Sequence, residues 1–139
     1  MSVRYLDLAD FVEIAAEVTG LDLATVIAMA NLDLADSALH APSAGFGEDD
    51  LYPDFVEKCG VLIVRLARNH PLPDGNKRAS WVSLRLFVEL NDWRWKTTPS
   101  VDDAEQFVLG VAAGETSEAA AADWLRGRIE PSIEDPGDS

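Results

Sequence analysis

The chain has 139 residues, of which 47% are hydrophobic, and it carries a formal net charge of −14 at pH 7. This length suits one domain with its own core rather than two, and the excess of acid excludes broad binding to nucleic acid or anionic membranes. Four acids within residues 1–20 and the lack of a long apolar run argue against a secretory signal or a membrane span, so we expect a cytoplasmic protein.

The first forty residues predict short amphipathic helices. Apolar side chains recur at helical spacing from Asp7 to Thr19, with Asp7 as the N-cap and Gly20 as the stop. Asp22 is placed to cap a second helix that runs to about Ala30. A further turn or short helix is expected from Leu34 to Leu39.

Residues 41–53 interrupt this periodicity. They contain two glycines and two prolines among several acids, which predicts a long exposed loop or a small hairpin. The few apolar side chains of this segment are expected to anchor it to the core; they are Phe46, Leu51 and Tyr52.

Two helices in the middle of the chain are apolar on almost every side. They are predicted from Asp54 to Asn69 and from Asn76 to Asn91, and such helices usually lie at the centre of a bundle. The single cysteine, Cys59, falls within the first of them. We expect it to be a small buried hydrophobe, since it has no disulfide partner and a reducing compartment fits a lone cysteine.

The C-terminal third predicts a short extended stretch over Trp93–Lys96 and two more helices. One helix begins at Ser100 with a capping pattern, and the other covers about Thr116–Arg128. Together these elements predict an all-α fold, a compact bundle of about six helices formed by residues 1–130. Residues 131–139 are rich in proline, glycine, serine and acid, which predicts a disordered tail.

Positive charge is concentrated in the middle of this acidic chain. The segment from Lys58 to Lys96 holds eight of the 11 lysines and arginines but only three acids. A basic island of this size suits one small polyanion better than a long nucleic acid. We expect Arg65, Arg85 and Arg94 only to solvate helix faces.

The run from His70 to Arg78 connects the two central helices and contains the groups of a phosphate site. The backbone N–H groups of Gly75, Asn76 and Lys77 open a helix, where unpaired donors and the helix dipole favour an anion. Asp74 suits a Mg²⁺ ion shared with nucleotide phosphates, and its alternative role is to cap the following helix.

The remaining polar side chains of this run extend the site. Arg78 suits bidentate binding of phosphate oxygens, Lys77 supplies a mobile charge, and a neutral His70 suits accepting the proton of a hydroxyl. Arg68 either points to the same phosphates or solvates its helix. A lone histidine at a helix end is usually a cap, and that is our interpretation of His40.

The sequence His-Pro-Leu-Pro-Asp-Gly-Asn-Lys-Arg over residues 70–78 resembles the core motif of the Fic/Doc family, most closely its Doc, or death-on-curing, branch. Further similar segments are residues 36–39, 45–48, 51–53, 66–70 and 90–91. Family members that transfer AMP typically have glycine at the position of Lys77 and arginine at that of Trp81, and these departures favour the Doc outcome. Leu72 replaces a phenylalanine conservatively.

The resemblance implies a toxin of a toxin–antitoxin pair that transfers the terminal phosphate of ATP, with Mg²⁺, to a threonine of elongation factor Tu. His70 would be the general base, Asp74 the metal ligand, Gly75 and Asn76 the phosphate cradle, and Lys77 with Arg78 the charge stabilisers. Residues 41–53 occupy the position of the flap that aligns the target. Because no inhibitory Ser/Thr-x-x-x-Glu helix is evident, inhibition is expected from a separate antitoxin of the Phd type.

Two alternatives remain open from the sequence. One is transfer of AMP to a protein hydroxyl, as in Fic enzymes. The other is a catalytically silent binding module with the same fold, although His70, Asp74, Asn76 and Arg78 are all intact.

Overall fold

Seven α-helices dominate the computed structural model, which describes residues 2–132. The helices are α1 (Leu8–Thr19), α2 (Leu23–Met29), α3 (Leu32–His40), α4 (Phe55–Asn69), α5 (Asn76–Leu90), α6 (Val101–Ala112) and α7 (Glu118–Arg126). Two short antiparallel ribbons accompany them, β1 (Gly45–Phe46) with β2 (Asp49–Asp50) and β3 (Trp93–Trp95) with β4 (Ile129–Pro131). The expected all-α bundle is therefore confirmed, with one helix more than predicted.

Local capping explains where most helices begin. Asp7, Asp22 and Ser100 accept backbone N–H bonds at the starts of α1, α2 and α6, as predicted. The start of α3 lies two residues before the expected position, because Asn31 accepts a hydrogen bond from the Leu34 N–H. The start of α7 is later than expected, because Ser117 serves as its cap.

Helix α4 lies at the centre of the bundle and packs against α3, α5, α6 and α7. Ten of its 15 residues are buried, which confirms the prediction of a central helix. Cys59 is fully buried, as expected, and burial raises the pKa of its thiol, to which the charge of Asp54 adds. Helix α5 buries only seven residues, so it is amphipathic rather than apolar on every side.

Close packing between α4 and α7 depends on Gly60. A Cβ at this position would lie 2.8 Å from the Glu118 carbonyl oxygen and 2.9 Å from the Ala122 nitrogen. Both are backbone atoms, so Gly60→Ala must push the helices apart. We expect the free energy of unfolding to fall by about 1–3 kcal/mol, measured by chemical denaturation.

Ser83 provides a matched control on α5. It is also small and fully buried, but its hydroxyl has no hydrogen-bond partner among the described residues. Removing that hydroxyl relieves an unsatisfied group, so Ser83→Ala should leave stability unchanged or raise it. A Gly60→Ala protein as stable as wild type would contradict the close-packing argument.

The segment expected to be the flap forms a 3-10 turn at Ala41–Ser43 and then the β1–β2 hairpin. Its predicted anchors are partly wrong, because Phe46 is 80% exposed and Leu51 is also exposed. A lysine holds the hairpin instead: the buried Lys58 of α4 donates to the Pro42 carbonyl at 3.1 Å and to Asp50 Oδ2 at 3.2 Å. The hairpin tip therefore projects without an apolar contact of its own.

The C-terminal ribbon closes the described part of the chain. Trp93 pairs with Pro131, and the Ser132 N–H donates to the Asp92 carbonyl at 2.8 Å. Residues 133–139 of the predicted tail lie outside the described residues, and the domain boundary at residue 130 stays a prediction. None of the helices in residues 2–132 is both long and apolar enough to cross a membrane.

Candidate active site

The His70–Arg78 segment forms a tight connection between α4 and α5. The first helix ends at His70, which has φ 49° and ψ 57°, and the second begins after Gly75, which has φ 86°. Neighbouring elements fix the loop between them: the Asn31 N–H donates to the Pro71 carbonyl at 2.7 Å, and Leu72 is buried. The loop is therefore held by the α2–α3 connection and by the core.

The side chain of Asn76 fastens this loop from inside. Its Oδ1 accepts from the Leu72 N–H at 2.9 Å, and its Nδ2 donates to the Leu72 carbonyl at 2.7 Å. The prediction of Asn76 as part of a phosphate cradle therefore concerns only its backbone N–H, because the amide side chain is fully used in the loop.

The N-terminus of α5 carries no side-chain cap. Gly75 is the N-cap residue, so the alternative role of Asp74 as the cap is wrong. The first backbone bond of the helix runs from the Ala79 N–H to the Gly75 carbonyl. The N–H groups of Asn76, Lys77 and Arg78 have no acceptor among the described residues, which leaves them available to an anion.

A cavity of about 920 Å³ opens in front of this helix end. The motif contributes the backbone of Gly75 and the side chains of Asp74, Lys77 and Arg78 to its wall, and α2 and α6 form the opposite sides. Its volume lies at the upper end of the range of about 300–1,000 Å³ that is usual for small-molecule sites. A nucleotide with its phosphates at the helix end fits these residues in size and charge.

His70 lies at the other end of the loop and does not line the cavity. Its side chain is exposed and makes no hydrogen bond within residues 2–132, so the ring is accessible to a group from solvent. The left-handed backbone costs a residue with a Cβ about 1–2 kcal/mol, and only the fixed surroundings maintain it. His40, in contrast, is the predicted helix cap: its Nδ1 lies 2.9 Å from the Asp36 carbonyl.

The prediction that Arg68 points to the phosphates is wrong. Its guanidinium donates to the Thr116 carbonyl at 2.6 Å and to the Val111 carbonyl at 3.3 Å, and it does not line the cavity. Two other cations of the basic island also have partners, because Arg65 pairs with Glu118 and Arg94 with Glu130. The positive charge facing the cavity therefore comes from Lys77, Arg78 and Arg85.

The protein alone offers a weak metal site. No group of three or more histidine, cysteine, aspartate or glutamate side chains is placed to hold a metal within residues 2–132. Asp74 is exposed at the cavity wall beside the motif cations. A single carboxylate suits a Mg²⁺ ion that takes its other ligands from nucleotide phosphates and water.

Sequence reasoning missed three side chains of the cavity wall: Trp81, Arg85 and Trp95. Lys77, Trp81 and Arg85 are spaced four residues apart, which places them on one face of α5. That spacing was readable from the sequence once Lys77 was assigned to the site. The position of Trp95 on a separate ribbon was not.

Comparisons with known proteins agree with this architecture. The model of the Fic/DOC family matches residues 5–88, which include the whole motif. The protein Toxin Doc of Mycolicibacterium smegmatis is 35% identical over 94 residues, covering 68% of this chain and 72% of that protein. The chain therefore belongs to the Fic/DOC family, and this similarity assigns it to the Doc branch.

Proposed function

We propose that this protein is the toxin of a toxin–antitoxin pair and acts as a protein kinase of the Doc type. It transfers the terminal phosphate of ATP to a protein hydroxyl, for which a threonine of elongation factor Tu is the expected target. The observation that carries the proposal is the uncapped start of α5, where Lys77 and Arg78 face a nucleotide-sized cavity. The name of the relative, Toxin Doc, supports the toxin role.

The residues of the motif divide the work of phosphoryl transfer. This reaction needs mainly positioning and charge stabilisation, which N–H groups at a helix start and two adjacent cations supply. Bound Mg²⁺, held by Asp74, would neutralise part of the phosphate charge. His70 lies outside the cavity wall with an exposed ring, where it accepts the proton of a hydroxyl that approaches from solvent.

Two departures from the AMP-transferring pattern favour phosphate as the transferred group. Lys77 lines the cavity in the first turn of α5, where a glycine would leave more room and less charge. Trp81 lines it one turn later, where an arginine would supply another phosphate ligand. AMP transfer remains the second candidate.

The direct test incubates the protein with elongation factor Tu and ATP labelled at either the terminal or the innermost phosphate. Label from the terminal phosphate alone is the expected result, and mass spectrometry of the acceptor distinguishes added phosphate from AMP. Arg78→Ala should reduce the transfer rate by about tenfold, because it removes a charged donor to the phosphates. Arg94→Ala is the matched control, since Arg94 pairs with Glu130 away from the cavity.

Transfer of the innermost phosphate would replace the kinase proposal by AMP transfer. Transfer of neither label would contradict both enzymatic candidates and favour a binding module.

The antitoxin is a separate prediction about partners. Expression of the chain should arrest growth, and a short Phd-type protein encoded by a neighbouring reading frame should restore it. Arrest that persists unchanged in a His70→Ala variant would contradict a catalytic toxin, because the loss of the base must remove an enzymatic effect.

A further inference from the structure

Two tryptophans from different elements form one aromatic wall in the cavity. Trp81 of α5 and Trp95 of β3 stack with ring centroids 5.5 Å apart and an interplanar angle of 29°. Both side chains are half-buried and both line the cavity, together with Arg85. We refer to Trp81 and Trp95 as the tryptophan wall.

Packing behind the tryptophan wall holds it in place. Trp81 makes edge contacts with Phe107 and Trp124, and those two rings stack on each other at 3.9 Å. Phe107 is buried, so it serves packing alone, whereas the wall keeps part of its surface open to the cavity. A rigid aromatic surface loses little entropy when a ligand ring stacks on it.

The order of groups along α5 matches the order of groups in a nucleotide. Lys77 lies in the first turn beside the unpaired N–H groups, and Trp81 follows one turn later on the same face, about 6 Å along the axis. Phosphates at the start of the helix therefore leave the remainder of the molecule to extend along this face. Aromatic side chains recognise bases by stacking, in any base sequence.

We propose that the tryptophan wall is the nucleobase subsite of this cavity. The inference rests on the proposed function for the presence of a nucleotide, and it adds which residues distinguish a nucleotide from a bare polyphosphate. Lys77 and Arg78 then bind the anionic tail, while Trp81 and Trp95 bind the base. The wall explains why an acidic protein offers both a small cationic surface and an aromatic one within a single cavity.

The test compares two ligands by calorimetry on the full chain in the presence of Mg²⁺: ATP and inorganic tripolyphosphate. The wild-type protein should bind ATP about tenfold more tightly, because only ATP carries a base that stacks. Trp95→Leu should remove most of this preference and leave tripolyphosphate binding unchanged. Trp95→Phe, which restores an aromatic ring, should recover part of it.

Trp93→Leu is the matched control. Trp93 lies in the same strand and is also half-buried, but it packs on Phe55 with centroids 5.0 Å apart and does not line the cavity. This variant should keep the full preference for ATP. Unchanged tripolyphosphate binding in both leucine variants reports that the fold and the phosphate site are intact.

The possible failures are distinguishable. Equal affinity of the wild type for ATP and tripolyphosphate would overturn the nucleobase subsite and leave the phosphate site in place. A preference that survives Trp95→Leu would do the same. Binding of neither ligand would overturn the subsite together with the kinase proposal.

Discussion

Replacement of His70 by glycine is expected to abolish phosphoryl transfer without loss of the fold. A positioned general base contributes about 10²–10⁴-fold to a rate, so the transfer rate should fall by that amount. His70 has φ 49°, a conformation that glycine adopts without strain. The gain from relieved strain and the entropy cost of glycine oppose each other, so we expect stability to change by less than about 1 kcal/mol. Rate assays and denaturation measure the two effects separately.

Asp92 supplies the matched control for this substitution. Among the described residues it is the other non-glycine residue with a positive φ, at 61°, and it lies in the turn between α5 and β3. Asp92→Gly relieves the same kind of strain away from the motif and should retain full transfer activity. Equal activity of the His70→Gly and wild-type proteins would refute the role of His70 as the base.

Replacement of Asn76 by alanine is expected to damage both stability and catalysis. The change leaves the buried N–H and carbonyl of Leu72 without partners. Each unsatisfied buried group costs about 1–3 kcal/mol, so the free energy of unfolding should fall by about 2–4 kcal/mol. Because the same two bonds fix the loop between His70 and α5, transfer should also fall in the fraction that remains folded.

Asn91 offers a comparison at the opposite end of α5. Its side chain also makes a two-way clamp, accepting from the Arg4 N–H at 2.7 Å and donating to the Arg4 carbonyl at 3.0 Å. This clamp is solvent-exposed and distant in sequence from the motif. Asn91→Ala should therefore cost less stability, and its activity per folded molecule should equal that of wild type. If the two alanine variants lost activity in parallel, the specific role of Asn76 in the loop would be contradicted.

The sequence by itself determined the features that depend on residues close together in the chain. The caps Asp7, Asp22 and Ser100 lie within three residues of the N–H groups they satisfy, so local chemistry was enough to locate those helices. The same holds for the motif, whose loop connects two helices with apolar periodicity, and for the central position of α4.

The tertiary structure decided how side chains are used once distant segments meet. Arg68 was expected at the phosphates, but a carbonyl 48 residues later in the chain, that of Thr116, takes its guanidinium. Phe46 was expected to anchor the hairpin, but the buried Lys58 does so.

Trp95 reaches the cavity because β3 pairs with β4, and its neighbour Trp81 belongs to another element. Capping and periodicity are short-range effects that a window of sequence contains. The choice among hydrogen-bond acceptors, and the shape of a cavity, depend on packing between elements far apart in the chain, which no local pattern encodes.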